Sequence, residues 1–179
     1  MDKNWNKGKF VGNNAENIVE FLIKSTSDWT CIKFGVENHI RDLRKTIRKQ
    51  INPITKKIKS MPDFVAFNER TGETLLIEVK FRSKFINYDT NKPEYHIDFL
   101  MQSKKYWPGT KLIVLQNYKP YFFVIDLDKI KESMCKLGKD YEAYWDFEEI
   151  KEDIKDIFPE LKDEVLEEAI KMIPIKEGA

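Results

Sequence analysis

The chain has 179 residues, is 41% hydrophobic and 34% charged, and carries a formal net charge of +1. That length holds one domain with a real core and a helical appendage, and the mixture excludes a disordered or fibrous chain. Two distant cysteines, Cys31 and Cys135, and two histidines, His39 and His96, argue against a disulfide framework and give a zinc site little support. The N-terminus has no apolar signal segment, and no apolar run approaches membrane-spanning length. The expectation is a cytoplasmic protein with reduced thiols and no membrane contact.

The small net charge hides an asymmetry. Between residues 41 and 59 stand Arg41, Arg44, Lys45, Arg48, Lys49, Lys56, Lys57 and Lys59 against one acid, Asp42. From Asp126 onward acids outnumber bases. A basic front and an acidic rear describe an oriented molecule with a side that faces a polyanion.

Residues 1–12 are polar and read as a loose start. A helix is predicted over 14–24, where Ala15, Ile18, Val19 and Leu22 form one apolar stripe. Glu16 and Glu20 lie one turn apart at its edge. Asn13 followed by Glu16 also fits a capping box, in which the glutamate returns to the cap N–H. Residues 29–36 alternate as a strand, with Thr30, Ile32, Phe34 and Val36 on one side. Over 38–60, Ile40, Leu43, Ile47 and Ile51 recur at helical spacing, and Pro53 is expected to break or kink that helix. The intervening Arg41, Arg44, Lys45, Arg48 and Lys49 make a face suited to phosphate contacts, which supply affinity without sequence information.

Two strands joined by a tight hairpin follow. Residues 64–68 and 74–81 flank the turn Glu69-Arg70-Thr71-Gly72, and Gly72 can take the φ > 0 position that such turns need. Side chains alternate along a strand. One face therefore carries Phe64, Ala66, Leu75, Ile77, Val79 and Phe81. The other carries Asp63, Val65, Phe67, Thr74, Leu76, Glu78 and Lys80. A turn centred between Arg70 and Thr71 pairs Phe67 with Thr74, Val65 with Leu76, and Asp63 with Glu78. Two carboxylates then face each other with Cβ atoms roughly 5 Å apart, Lys80 one step further along. Like charges directly opposite destabilise a sheet, and a divalent cation offsets that repulsion: Mg²⁺ is held by one or two carboxylates plus waters and phosphate oxygens.

Residues 82–94 are polar and irregular, and long for a connection in a compact domain. A helix is predicted over 95–106, stopped by Pro108-Gly109, with Gln102 and Tyr106 on one face. Buried-type strands over 111–116 and 121–127 come next. From residue 128 the chain is acidic and reads as helical. Asp146 caps a helix to which Glu149 returns, with Trp145 stapled to Ile150. Pro159 separates that helix from a second over 160–172. Ile154, Ile157 and Phe158 on one, and Leu161, Val165, Leu166 and Ile170 on the other, supply faces for packing.

Pro62-Asp63, then Glu78-Val79-Lys80 on the second strand of a hairpin, resembles the PD-(D/E)XK nuclease superfamily, whose three signature positions Asp63, Glu78 and Lys80 match as they stand. The resemblance covers about residues 12–127. It implies a restriction-endonuclease-like α/β fold: a mixed central sheet flanked by helices, with an α-β-β-β-α-β core over 1–127, the basic helix as an insertion, and an acidic helical extension, 128–179, packed on that core. It implies a Mg²⁺ site at Asp63, Glu78 and the Val79 carbonyl, with Mn²⁺ able to substitute, and Lys80 as a catalytic cation. A glutamate on the first helix often reaches the metal in this superfamily, and Glu16 is the better match. Gln102-Ser-Lys-Lys-Tyr106 resembles a further motif of the helicase-associated branch, found there beside the active site and DNA. Arg82 and Lys84, just after the catalytic strand, are within reach of phosphate.

The implied activity is metal-dependent hydrolysis of DNA phosphodiesters, with endonuclease action favoured. The competing readings are a non-cleaving nucleic-acid-binding module of the same fold and an RNA nuclease. Archaeal Holliday-junction resolvases are similar in core and size, and that function would need a homodimer. The acidic C-terminal helices offer a surface to a protein partner.

Overall fold

The computed structural model describes residues 3–35, 52–81, 93–137 and 143–173. The expected phosphate-binding residues Arg41, Arg44, Lys45, Arg48, Lys49 and Arg82 lie outside the described residues, as does most of the connection after the second hairpin strand.

The elements are α1 (Lys3–Lys24), β1 (Trp29–Lys33), α2 (Pro53–Lys59), β2 (Phe64–Asn68), β3 (Thr74–Phe81), α3 (Pro93–Tyr106), β4 (Thr110–Leu115), β5 (Phe122–Asp126), β6 (Cys135–Leu137), β7 (Ala143–Trp145), β8 (Lys151–Glu152), α4 (Ile154–Ile157) and α5 (Asp163–Met172). Six strands make one mixed sheet in the order β1-β2-β3-β4-β5-β8. All neighbours are antiparallel except β3 and β4, which run parallel. A parallel pair needs a long crossover, and α3 supplies it. The order α1-β1-β2-β3-α3-β4 is the α-β-β-β-α-β core that the nuclease resemblance implies, and helices flank the sheet on both faces. β6 and β7 form a separate two-stranded sheet.

The hairpin register is as the alternation predicts: Phe67 faces Thr74 and Val65 faces Leu76. Gly72 closes the turn at φ 75°, and its N–H donates to the Asn68 carbonyl at 2.8 Å. The Asn68 side chain accepts from the N–H groups of Arg70 and Thr71, at 3.0 and 2.9 Å.

Strand alternation divides the core in two. On one face Phe64, Ala66, Ile77, Val79, Ile113, Leu115 and Val124 pack with Ile18, Val19, Leu22 and Ile23 of α1. The same cluster takes in Ile154, Phe158, Leu161, Ala169 and Ile173 from the C-terminal elements. On the other face Leu112, Val114, Phe123 and Ile125 lie under Leu100 of α3, Leu127, Ile130 and Phe147.

Three local expectations change. Helix α1 begins at Lys3, so the polar start is helical and Asn13 lies inside the helix, where it cannot cap with Glu16. β1 ends at Lys33, short of Val36. Pro53 opens α2, and the helix expected ahead of it lies outside the described residues. It sits in the first turn of α2, where a missing N–H costs nothing, behind a reciprocal cap: Asn52 Oδ1 accepts from the Thr55 N–H at 2.9 Å, and the Asn52 N–H donates to Thr55 Oγ1 at 3.0 Å. The helix expected from Asp146 is instead a 3-10 turn over Glu148–Ile150, followed by β8 on the edge of the main sheet. The capping box falls seven residues later, between Asp153 and Asp156, and opens α4.

Candidate active site

β2 leaves β3 at the pair Phe64–Ile77. Beyond that point β3 continues to Phe81 along β4, with Glu78 beside Leu112 and Lys80 beside Val114. The Val79 N–H, which would otherwise look for a β2 carbonyl, donates to Asp63 Oδ2 at 2.8 Å. A residue's N–H and C=O leave an antiparallel strand on the same side, so the Val79 carbonyl is directed to the same edge as the Asp63 carboxylate. Asp63 is itself pinned through its backbone: its carbonyl accepts from the N–H of Phe34 at 2.8 Å and of Gly35 at 3.4 Å. The end of β1 thus fixes the residue that precedes β2.

Glu78 is only 3% exposed. Alternation puts it on the α3 face of the sheet, beside the apolar Leu112. Burial pushes its carboxyl up to about 8; the Lys80 ammonium opposes the rise, and the negative charges of Asp63 and Glu16 add to it. Desolvation disfavours the charged form of any acid, and a second carboxylate nearby acts in the same direction. Lys80 Nζ donates to Glu78 Oε1 and pairs with it, while remaining partly open to solvent.

Of the residues expected to form a site, Asp63, Glu78, Val79 and Lys80 come together at one point, the open edge of β3. Glu16, from α1 on the opposite face of the sheet, is close enough for its charge to act on Glu78. Glu20 is engaged elsewhere. Its carboxylate pairs with Lys24 at 2.6 Å and Lys33 at 3.3 Å, and the Lys24 hydrogen bond leads in holding it below the usual carboxylate range. Gln102 and Tyr106 lie half-buried on α3, the helix that covers β4 and β5; the Lys105 ammonium stands 5.7 Å from the Tyr106 ring centroid.

Among the described residues no group of three or more His, Cys, Asp or Glu side chains could hold a metal by itself. The oxygen donors available are two carboxylates and one backbone carbonyl. That set fits a hard cation that keeps several waters, Mg²⁺ or Mn²⁺, and not zinc or copper, which favour nitrogen and sulfur. The buried Glu78 supports the fit: an acid forced toward its neutral form beside a second acid gains most from a nearby divalent charge.

Sequence reasoning did not single out Phe34 and Gly35, whose N–H groups hold the Asp63 backbone. Backbone hydrogen bonds leave no residue-type signature. Trp107 was also missed. Its indole N–H donates to the Lys57 carbonyl at 3.0 Å, and its ring meets Phe34 edge-on, with centroids 5.4 Å apart. The signal available was a tryptophan immediately ahead of the Pro108-Gly109 stop.

No protein-family model and no curated protein matches the chain. Among solved structures, a Holliday junction resolvase, Hjc, from the archaeal hyperthermophile Archaeoglobus fulgidus is similar to it. The identity is 17%, the match covers 84% of this chain and 98% of that chain, and the TM-score is 0.39. A likeness of that degree carries no argument about function. No helix among the described residues is long and apolar enough to cross a membrane.

Proposed function

We propose that the chain is a metal-dependent nuclease that hydrolyses phosphodiester bonds in DNA, acting as an endonuclease in the cytoplasm. One observation carries the reading: Glu78, a buried carboxylate whose ionisation the surroundings oppose, stands with Asp63 and Lys80 at an open strand edge. A buried acid whose ionisation is opposed by desolvation and by neighbouring carboxylates is a candidate functional group, and a divalent cation bound there would offset the cost of its charge.

In this reading Asp63, Glu78 and the Val79 carbonyl hold Mg²⁺, with Mn²⁺ as a substitute. The bound cation supplies a Lewis acid for a phosphate oxygen and lowers the pKa of a water. The Val79 N–H keeps the Asp63 carboxylate turned toward the site. Lys80 orients the attacking water and neutralises charge that builds on phosphorus, its partly open ammonium already lying against Glu78. Glu16 adds negative charge from the other side and positions water. Gln102 and Tyr106 on α3 contact the DNA next to the scissile bond. Arg41, Arg44, Lys45, Arg48, Lys49 and Arg82 supply phosphate contacts. Paired cuts would call for a homodimer.

The test is a cleavage assay on plasmid, linear duplex, single-stranded, flapped and four-way-junction DNA, with an RNA control. Each substrate is incubated with Mg²⁺, Mn²⁺ or EDTA, beside Asp63→Ala and Lys80→Ala proteins. Metal-dependent cutting of DNA that both substitutions abolish is the expected result. Binding without cutting under any metal would replace the nuclease with a binding module, and cutting confined to RNA would move the substrate class.

A further inference from the structure

We infer that α2 and the indole beneath it form a clamp for the DNA phosphate backbone, built onto Asp63 itself; the inference rests on the nuclease reading of the adjoining site. Lys56, Lys57 and Lys59 are all exposed on this short helix, and α2 carries no acid. Among the described residues neither Lys56 nor Lys57 takes part in an ion pair. Same-sign charges one turn apart repel, so the face is more stable with a polyanion against it. The complement in charge is a row of phosphates, and among the described elements α2 is the one whose exposed charges are all positive and which also connects to the site.

The connection runs through three contacts. The Lys57 ammonium lies 5.3 Å from the centroid of the Trp107 ring, and the Trp107 N–H holds the Lys57 carbonyl at 3.0 Å. The same indole meets the Phe34 ring edge-on at 5.4 Å. The Phe34 N–H then holds the Asp63 carbonyl at 2.8 Å. Trp107 therefore braces the helix that carries the lysines against the strand end that carries Asp63. A phosphate on Lys56 and Lys57 is held at a set distance from the catalytic carboxylates, so the clamp fixes where along the backbone the cut falls. Trp107 is a positioning residue in this arrangement, and the lysines supply affinity.

The experiment measures binding of a labelled DNA duplex in EDTA over a range of salt concentrations, then cleavage of the same DNA in Mg²⁺. The proteins are wild type, K56Q/K57Q, Trp107→Phe, and K155Q/K171Q as a control that removes equal charge from α4 and α5. Releasing two phosphate contacts lowers the slope of log K against log[salt] by about 2 and weakens binding about tenfold at moderate salt. K56Q/K57Q is expected to show both; K155Q/K171Q is expected to match wild type in slope and affinity. Trp107→Phe, which keeps a ring and loses the N–H, is expected to keep the wild-type slope while its cut positions spread over neighbouring bonds.

A wild type that cuts, with the same slope in K56Q/K57Q as in K155Q/K171Q, overturns the clamp and leaves the nuclease standing. A shallower slope in K56Q/K57Q of a protein that never cuts keeps the phosphate clamp and overturns the nuclease. A cut pattern unmoved by Trp107→Phe overturns the positioning role.

Discussion

Burial pushes the Glu78 carboxyl up to about 8 from an ordinary 4.5, so without a divalent cation the folded chain holds that proton more tightly. The unfolded chain gives up that proton at the ordinary value. Between the two pH values the folded state holds a proton that the unfolded state has lost, so the contribution is full below pH 4.5 and shrinks as pH rises to 8. Each pH unit in that window removes about 1.4 kcal/mol. In EDTA the melting temperature is therefore expected to fall from pH 5 to 8, and to fall less in Glu78→Gln. Parallel curves for the two proteins would refute it. Lys80→Ala is expected to lower the cleavage rate about 10²- to 10³-fold with DNA binding in EDTA retained, as loss of one group that stabilises developing charge does; single-turnover rates check it. Gly72→Ala meets no neighbouring atom, but its φ of 75° disfavours a side chain. About 1–2 kcal/mol of stability is the expected cost, read by urea unfolding. Glu78 and Lys80 were legible because a period of two is unambiguous once Gly72 sets the turn; the expected Asp63–Glu78 pair does not form, since Asp63 lies just before β2 and meets β3 through the Val79 N–H. Glu16 was only half legible. A glutamate three residues after an asparagine reads as a cap, and nothing local revealed that the helix starts ten residues earlier.

Phe158 shows how the C-terminal elements hold on. It is fully buried, meets Trp29 edge-on at 5.3 Å, and belongs to the cluster that α1 and the sheet share. Phe158→Ala is expected to cost about 3–5 kcal/mol, measured by urea unfolding, with no change in the cleavage rate of the protein that remains folded. A chain ending at residue 127 would expose the sheet and α1 surfaces now covered by Ile154, Phe158, Leu161, Ala169 and Ile173. It is expected to lose cooperative unfolding, seen by heat or denaturant. The apolar faces of α4 and α5 were legible from helical spacing, and each predicted apolar position there is buried or packed against the core. β8 was not legible. Two residues cannot display alternation, and Lys151 and Glu152 became a strand because β5 had an open edge beside them. Pro159 separates α4 from α5, as its position predicts, while the cap by which Asn52 lets Pro53 open α2 had no helical spacing to announce it.

On the scale of the whole molecule, the described residues bring Asp63, Glu78, Val79 and Lys80 together at one place in the chain. Paired cuts in the two strands of a junction or duplex need two sites, so a protein that makes them is expected to run in light scattering at twice its chain mass of 21.3 kDa. A strict monomer would be confined to nicks. The basic front seen in the sequence is represented in the described structure by α2, and the acidic rear by the exposed Asp163, Glu164, Glu167 and Glu168 of α5. Charge asymmetry was legible from composition alone; its attachment to Asp63 was not, since that runs through ring contacts and backbone carbonyls. The attachment has a consequence for change in the protein. The stretch between Gly35 and Asn52 starts where the Gly35 N–H is tied to Asp63 and ends at the Asn52–Thr55 cap. Trp107 ties those two ends together through Phe34 and Lys57, so a change at either end is expected to be felt at Asp63.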